Sequence, residues 1–302
     1  MGASENLGIP ADVKRRKVIL PGKEIEIALQ DWGGEGPLAL LHHANGFCAA
    51  LWAPVAEQLR SQFHVVAMDA RGHGDSGMPQ EGATPESFSW ALMADDLGQV
   101  AHVLLEETGE SQIALGLGHS FGGTLTLAAE SQHPGLYERL VLVDPVIPST
   151  AWATPERIES QSGMVERARR RRSRWASHAE AHDQLSTKSL FANWTPSAFD
   201  LYIQEGLLEG ENGEVALKCP GEVEAQIFGN SLSLNLDEVL AGVRTPARLL
   251  WARHGIFPRE VFERVCAVLP GAQLVEADAG HLIPMEKPDW VVENVLDFCS
   301  LA

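Results

Sequence analysis

The sequence has few cysteines, and those it has do not form a recognisable pattern. Its 302 residues include four cysteines that are widely spaced, without a CxxC pair and without histidines clustered at metal-ligand spacing. This pattern argues against a disulfide framework and predicts free thiols in a reducing compartment. We also expect neither a metal nor an organic cofactor.

Basic residues are scarce as well. Lysine and arginine number 23 against 41 aspartates and glutamates, which gives a formal net charge of −18. Nucleic acids and anionic membranes are polyanions, so this balance argues against binding to either. We expect the partner to be a small-molecule substrate.

Long apolar runs are missing too. No stretch approaches the ~20 residues that a membrane-spanning helix needs, and the first residues lack the apolar core of a secretory signal. Gly2 suggests N-myristoylation, but Asn6 stands where that motif requires serine or threonine. The sequence predicts a cytoplasmic protein.

What the chain does contain is a regular alternation of short buried strands and amphipathic helices. This alternation predicts an α/β fold, with a mostly parallel central sheet and helices on both faces. A hairpin turning at Pro21–Gly22 precedes it. The predicted strands are 38–41, 64–68, 113–117, 140–143, 247–251 and 273–276, and the predicted helices are 52–61, 87–107, 124–131, 259–268 and 290–298.

The alternation stops in the middle of the chain. Residues 147–235 read as helix-rich and contain no convincing buried strand. We interpret this stretch as a helical cap inserted into one core domain, which comprises residues 1–146 and 236–302.

The strongest chemical signal is Gly118–Gly122, with the sequence GHSFG. It directly follows a predicted buried strand and precedes a predicted helix. A serine in such a sharp turn needs small residues two positions before and after it, and the helix N-terminus favours negative charge beside it. Ser120 is therefore the candidate nucleophile.

A serine hydroxyl needs a base to take its proton. His281 follows the last predicted strand and precedes the last helix. Parallel strands end at one edge of the sheet, so His281 and Ser120 are expected at the same edge. His281 is the candidate general base.

Together these segments resemble the α/β-hydrolase superfamily over essentially the whole chain. His43–Ala44 resembles the family's His-Gly loop, and the resemblance implies an oxyanion hole made by the backbone N–H groups of Asn45 and Phe121. Residues 69–76 are similar to the family's D-x-R-G-x-G-x-S turn. In that setting His73 is read as structural and not catalytic.

The sequence departs from the family at the acid. The loop after residues 247–251 is one residue short, and His254 stands roughly where the family's aspartate belongs. Some relatives take the acid from the end of the sixth strand, which here is Asp144. We predict Asp144 as the acid, with a Ser120–His281 dyad or another carboxylate, such as Glu276 or Asp278, as alternatives.

An arginine cluster stands out in so acidic a chain. It reads either as a solvated helix face paired with surface acids or as a surface that steers an anionic substrate or partner. Tryptophans in the cap fit a pocket for an apolar acyl or aromatic group, and they fit core packing equally well. The cluster comprises Arg167, Arg169, Arg170, Arg171, Arg172 and Arg174, and the tryptophans are Trp152, Trp175 and Trp194.

These features predict a serine hydrolase that cleaves a carboxylic ester, or a related thioester, lactone or amide, through an acyl-enzyme. Two alternatives use the same residues, namely a C–C bond hydrolase and a cofactor-free perhydrolase. A third reading belongs to another class: a non-catalytic ligand receptor on a hydrolase scaffold. Covalent labelling by a fluorophosphonate separates the enzymes from the receptor.

Overall fold

An eight-stranded sheet forms the centre of the molecule. The computed structural model describes residues 8–147 and 155–300. The strand order is β1-β2-β4-β3-β5-β6-β10-β11, in which β2 pairs antiparallel with β1 and β4 and the other pairs are parallel. The strands are β1 (Lys14–Ile19), β2 (Glu26–Gly33), β3 (Leu38–His42), β4 (His64–Met68), β5 (Leu115–His119), β6 (Leu140–Val143), β10 (Ala247–Ala252) and β11 (Gln273–Ala277).

Helices cover both faces of this sheet, as the α/β prediction requires, and that prediction is confirmed. The apolar sides of α1 and α11 pack on one face, and those of α2, α3, α8 and α9 pack on the other. These helices are α1 (Ala53–Leu59), α2 (Trp90–Thr108), α3 (Phe121–Gln132), α8 (Leu236–Gly242), α9 (Arg259–Val268) and α11 (Pro288–Ser300). A short helix, α10 (Ile283–Glu286), precedes α11.

The parallel strands are apolar on both faces because successive side chains point to opposite sides of a sheet. In β6, Val141 and Val143 join the core on one face, whereas Leu140 and Leu142 join the core on the other. All four side chains are fully buried. This two-sided burial explains why such strands read as continuous apolar runs in the sequence.

Residues 155–235, which follow β6 and precede α8, contribute no strand to the large sheet. We call residues 155–235 the insert. Its helices are α4 (Pro155–Arg170), α5 (His178–Leu185), α6 (Pro196–Glu205) and α7 (Gly221–Gly229). Residues 148–154 of the predicted cap, including Trp152, lie outside the described residues.

The insert also contains a small sheet that the sequence did not predict. Three short antiparallel strands pair in the order β7-β9-β8, with bounds Arg174–Trp175, Val215–Leu217 and Leu207–Glu209. Strands of two or three residues are too short to show an alternating pattern, so they escape detection from periodicity.

Predicted and observed bounds agree closely in the core. The 140–143 strand and the 259–268 helix have the predicted limits. The helix predicted from residue 124 begins at Phe121 instead, directly after the turn that carries Ser120. Within the described ranges, no helix has the length and apolarity needed to cross a membrane.

Candidate active site

Ser120 occupies a strained turn between β5 and α3. Its φ is +55° and its ψ is −120°, a conformation rarely seen outside glycine. The turn is tightly packed, since a Cβ added at Gly118 would lie 2.5 Å from the Gly122 carbonyl oxygen. A Cβ added at Gly122 would lie 2.4 Å from the His43 carbonyl oxygen. Both glycines of the GHSFG sequence are therefore sterically required.

Three side chains from distant parts of the chain form one hydrogen-bonded series. The Ser120 Oγ lies 2.8 Å from His281 Nε2, and His281 Nδ1 lies 2.5 Å from Asp144 Oδ2. Because a carboxylate can only accept, the proton of a neutral His281 ring sits on Nδ1. The Nε2 lone pair then faces the serine hydroxyl, which is the geometry a general base needs.

Asp144 lies directly after β6, at the carboxyl edge of the sheet. Its side chain has no exposed surface, and its Oδ1 accepts a hydrogen bond of 3.0 Å from the Ala252 N–H. Its φ is +41°, which aspartate tolerates better than most residues. The structure thus brings Asp144 to His281 across 137 residues of sequence.

The other acid candidates lie elsewhere. The Asp278 Oδ1 is 2.9 Å from His254 Nε2, and both side chains are largely exposed. Glu276 pairs with Arg253 and Arg259 at the surface. Neither carboxylate contacts His281. The His254 side chain therefore points to solvent, although its N–H donates to the Ala279 carbonyl oxygen, two residues before the base.

The loop after β10 packs closely against Asp144. A Cβ added at Gly255 would lie 3.1 Å from Asp144 Oδ2 and 2.9 Å from the Ala252 Cβ. The Asp144 carboxylate already fills the space beneath this loop.

Two side chains that the sequence analysis missed hold the His281 loop. His119 Nε2 donates a hydrogen bond of 2.9 Å to the His281 carbonyl oxygen, and the Glu286 carboxylate accepts one of 2.7 Å from the Gly280 N–H. The only sequence signal is position: His119 precedes the nucleophile, and Glu286 follows the base within one turn of helix. The Phe257 ring packs edge-on against His281.

The two predicted oxyanion donors lie on neighbouring segments. Phe121 is the first residue of α3, so its N–H has no partner within the helix. Asn45 lies in the turn after β3, where the Phe47 N–H donates to the Ala44 carbonyl oxygen at 3.2 Å. The tight contact of Gly122 with His43 joins this turn to the start of α3.

A buried, neutral histidine supports the turn after β3 through hydrogen bonds at both ring nitrogens. His43 donates from Nδ1 to the Ala44 carbonyl oxygen at 2.7 Å and accepts from the Ala70 N–H at Nε2, at 2.9 Å. The pKa of His43 is well below its ordinary value, chiefly because burial disfavours the charged ring. The His43 ring therefore acts as a fixed donor–acceptor pair.

We expect the buried histidines to make the fold acid-labile. Burial lowers the pKa of His42 and His73 to about 4 and of His119 to about 3, from 6.5. Groups with depressed folded-state pKa values stabilise the fold above pH 6.5, and that stability is lost as pH falls through the folded values. Asp69 offsets part of this, since burial raises its pKa to about 6. Urea titrations between pH 7.5 and 4 measure the free energy of unfolding.

The free energy of unfolding should fall by about 1.4 kcal/mol per pH unit for each net proton taken up on unfolding. Glutamine at position 73 can still accept a hydrogen bond but does not titrate. His73→Gln should therefore reduce the slope of unfolding free energy against pH by the amount that corresponds to about one proton. The exposed His102 serves as the matched control, and its glutamine variant should keep the wild-type slope. A free energy of unfolding that stays constant down to pH 4.5 would contradict the expectation.

The arginine cluster divides into surface and buried members. Arg169 pairs with Glu222, Arg170 with Glu166, and Arg172 with Glu180, and all three arginines are exposed. Such exposed pairs contribute little to stability. Arg171 differs, because it turns inward to Glu224 and Tyr202. Among the described residues, no group of histidine, cysteine and acidic side chains is arranged to hold a metal ion.

Comparisons with known proteins cover most of the chain. A family model described as the alpha/beta hydrolase family matches residues 39–294. The lipase LipV of Mycobacterium tuberculosis is 26% identical over 273 residues, which cover 88% of this chain and 95% of that protein.

Two solved structures show how far the fold is shared. The E-2-(acetamidomethylene)succinate hydrolase aligns with a TM-score of 0.80 over 95% of this chain and 99% of its own, at 19% identity. A thermophilic esterase from Thermogutta terrifontis, in its malate-bound structure, aligns with a TM-score of 0.69 over 94% and 97%, at 25% identity. These alignments include the insert as well as the sheet.

Proposed function

Because the chain belongs to the alpha/beta hydrolase family, we propose that it is a serine hydrolase of carboxylic esters, or of related thioesters, lactones or amides. The observation that carries this proposal is the hydrogen-bonded series from Ser120 through His281 to Asp144. The proposed roles are nucleophile, general base and acid, in that order. This arrangement activates a hydroxyl that is otherwise a weak nucleophile.

The proposed reaction proceeds through an acyl-enzyme. The Ser120 Oγ attacks the carbonyl carbon while His281 Nε2 takes the hydroxyl proton. The N–H groups of Asn45 and Phe121 hold the negative oxygen that forms. The imidazolium returns the proton to the leaving alcohol as the C–O bond breaks. Water, deprotonated by the same nitrogen, then releases the acid.

Asp144 supports both steps electrostatically. Its buried carboxylate stabilises the imidazolium that exists between proton uptake and return, and it fixes the tautomer beforehand. The Ala252 N–H occupies its second oxygen, which keeps the carboxylate oriented toward His281. The strained backbone at Asp144 is consistent with a functional position.

The insert is proposed to act as a cap that selects an apolar acyl or aromatic group. Phe47, which follows the Asn45 turn, packs against Trp194 and Tyr202 of the insert, with ring centroids 5.5 and 5.7 Å apart. Phe191 extends this cluster. Trp194, Tyr202 and Phe191 are buried in the core, whereas Phe47 is only partly buried, so Phe47 is the ring of this cluster proposed to meet an apolar substrate group. The names of the lipase and esterase relatives support an ester substrate.

The proposal is tested by covalent labelling combined with an ester series. We expect a fluorophosphonate to label Ser120 stoichiometrically, because only an activated serine reacts readily. Chromogenic esters of increasing acyl length should give a burst of alcohol followed by a slower steady state. Mass spectrometry of the labelled peptide identifies the residue.

Two outcomes would contradict the proposal in different ways. A folded protein that resists the fluorophosphonate would point to a non-catalytic ligand receptor. A labelled protein that turns over no ester in the series would point to a C–C bond hydrolase or a perhydrolase. A commercial serine esterase provides the positive control for both assays.

A further inference from the structure

The turn that carries Asn45 is held from two opposite sides. We call Ala44–Phe47 the oxyanion loop. Gly46 has a φ of +82°, and the Phe47 N–H closes the turn onto the Ala44 carbonyl oxygen. A glycine with positive φ at this position is typical of a type II turn. Such a turn fixes its own backbone, but its orientation depends on outside contacts.

The inner contact comes from the core. The Gly46 N–H donates to His73 Nε2 at 3.1 Å, while His73 Nδ1 donates to the Arg71 carbonyl oxygen at 3.0 Å. Since a carbonyl oxygen can only accept, this pattern assigns the ring proton to Nδ1. His73 is fully buried. The Asn45 Oδ1 also lies 3.2 Å from this Nε2, but both atoms are then acceptors, so the ring ties the loop to the turn at residues 69–76 through the Gly46 N–H.

The outer contact comes from the insert. The Asn45 side-chain Nδ2 donates to the main-chain carbonyl oxygen of Glu224 at 3.0 Å. The Glu224 carboxylate covers Gly46 so closely that an added Cβ would lie 3.0 Å from its Oε1. Arg171 forms an ion pair with this carboxylate and donates to the Tyr202 hydroxyl at 3.1 Å. The insert thus reaches the loop through one residue of α7.

Arg171 and Glu224 are placed there by the packing of two helices. Arg171 follows the end of α4, and Glu224 lies in the first turn of α7. The helices meet closely, because a Cβ added at Gly221 would lie 2.3 Å from the Ala168 carbonyl oxygen. The side chains of Arg171 and Glu224 are 25% and 13% exposed, in contrast with 41% and 47% for the nearby pair Arg169–Glu222. This pair is built into the contact with the loop.

We propose that the Asn45 side chain, Glu224 and Arg171 are positioning residues by which the insert fixes the oxyanion donor at Asn45. The inference rests on the proposed function, since it concerns how that donor is held. An oxyanion donor works only at 2.7–3.1 Å from the developing charge, and losing one costs about 10²–10³ in turnover. A loop anchored on one side only would hold its N–H less accurately.

The test removes the anchor and keeps the donor. Asn45→Ala retains the backbone N–H but loses the hydrogen bond to Glu224 and the 3.2 Å contact between its Oδ1 and His73 Nε2. We expect kcat to fall about 10- to 100-fold, less than for complete loss of a donor, with KM changed by less than about twofold because ground-state binding is untouched. A boronic acid that mimics the tetrahedral intermediate should bind more weakly by the same factor as kcat/KM.

The matched control is Asn230→Ala. The Asn230 Nδ2 also joins the insert to the core, where it donates to the Pro85 carbonyl oxygen at 2.7 Å, but it lies away from the oxyanion loop. This variant should lower Tm and leave kcat per folded molecule unchanged. Glu224→Gln, which keeps the main-chain acceptor and the side-chain shape, should show a smaller kcat loss in the same direction as Asn45→Ala.

The outcomes separate this inference from the proposed function. If wild-type protein turns over esters but Asn45→Ala loses only Tm, at unchanged kcat and boronate affinity, the positioning role is refuted while the hydrolase proposal stands. If Arg171 instead bound a substrate carboxylate, Arg171→Gln would raise KM for anionic acyl esters alone and leave kcat for neutral esters intact. That result would also overturn the inference.

Discussion

Replacing Ser120 by alanine is expected to lower ester turnover by about 10⁶-fold, the scale seen when a serine nucleophile is removed from such a site. The change deletes one oxygen atom, the one that lies 2.8 Å from His281 Nε2. No other hydroxyl is hydrogen-bonded to that nitrogen among the described residues. Steady-state hydrolysis of a chromogenic ester, normalised to folded protein, measures the loss.

The fold should survive this substitution. Ser120 holds its turn through main-chain hydrogen bonds. Its N–H donates to the Val143 carbonyl oxygen, and its carbonyl oxygen accepts from the N–H groups of Thr124 and Val146. Alanine keeps all of them, so the free energy of unfolding should change by less than about 1 kcal/mol. The matched control is Ser87→Ala, which removes a buried hydroxyl from the short helix at Glu86–Phe88, just before α2. This variant should retain full activity. Normal turnover by Ser120→Ala would refute the proposed mechanism.

The parts of the site that the sequence predicts well are those with local signals. Five consecutive residues identify the turn around Ser120, because two glycines are sterically required there. His281 follows a strand at the same edge of the sheet, and parallel topology brings strand ends together. A short motif combined with a fold class is thus enough to pair two residues 161 positions apart.

The contacts of the insert carry no such signal. Arg171 sits in a run of arginines whose other members face solvent, and nothing in the run marks it as the inward one. Its burial follows from the crossing of α4 and α7 and from the position of Glu224, which are tertiary properties. Likewise, the small sheet of the insert has strands too short for periodicity. Packing between helices decides both features.

The acid is an intermediate case, in which the sequence narrows the choice and leaves alternatives. The shortened loop after β10 lacks the usual carboxylate, and Asp144 ends a buried strand on the same edge of the sheet. Which carboxylate reaches the base depends on distances of a few ångströms. In the structure Asp144 is the one that lies at His281.

Asp144→Asn is expected to reduce turnover by about 10⁴-fold, as the same change does in a serine protease of this geometry. The Ala252 N–H requires an acceptor, so the amide oxygen of the new side chain will face Ala252. Its NH₂ group will then face His281 Nδ1 and donate to it. The ring proton moves to Nε2, and the nitrogen beside Ser120 can no longer accept a proton.

Stability and carboxylate controls distinguish this electrostatic role from a structural one. Asparagine tolerates the positive φ of +41° at this position, so the variant should fold, and turnover is normalised to folded protein. A structural Asp144 would lower Tm and leave turnover within about tenfold of wild type, well short of the 10⁴-fold loss expected when His281 has the wrong tautomer.

Glu276→Gln and Asp278→Asn serve as carboxylate controls. Both carboxylates pair with surface cations among the described residues, so both variants should keep near-normal rates. Near-normal turnover in Asp144→Asn with a large loss in either control would assign the acid elsewhere. If all three variants stay active, Ser120 and His281 work as a dyad, and the buried carboxylate serves the fold alone.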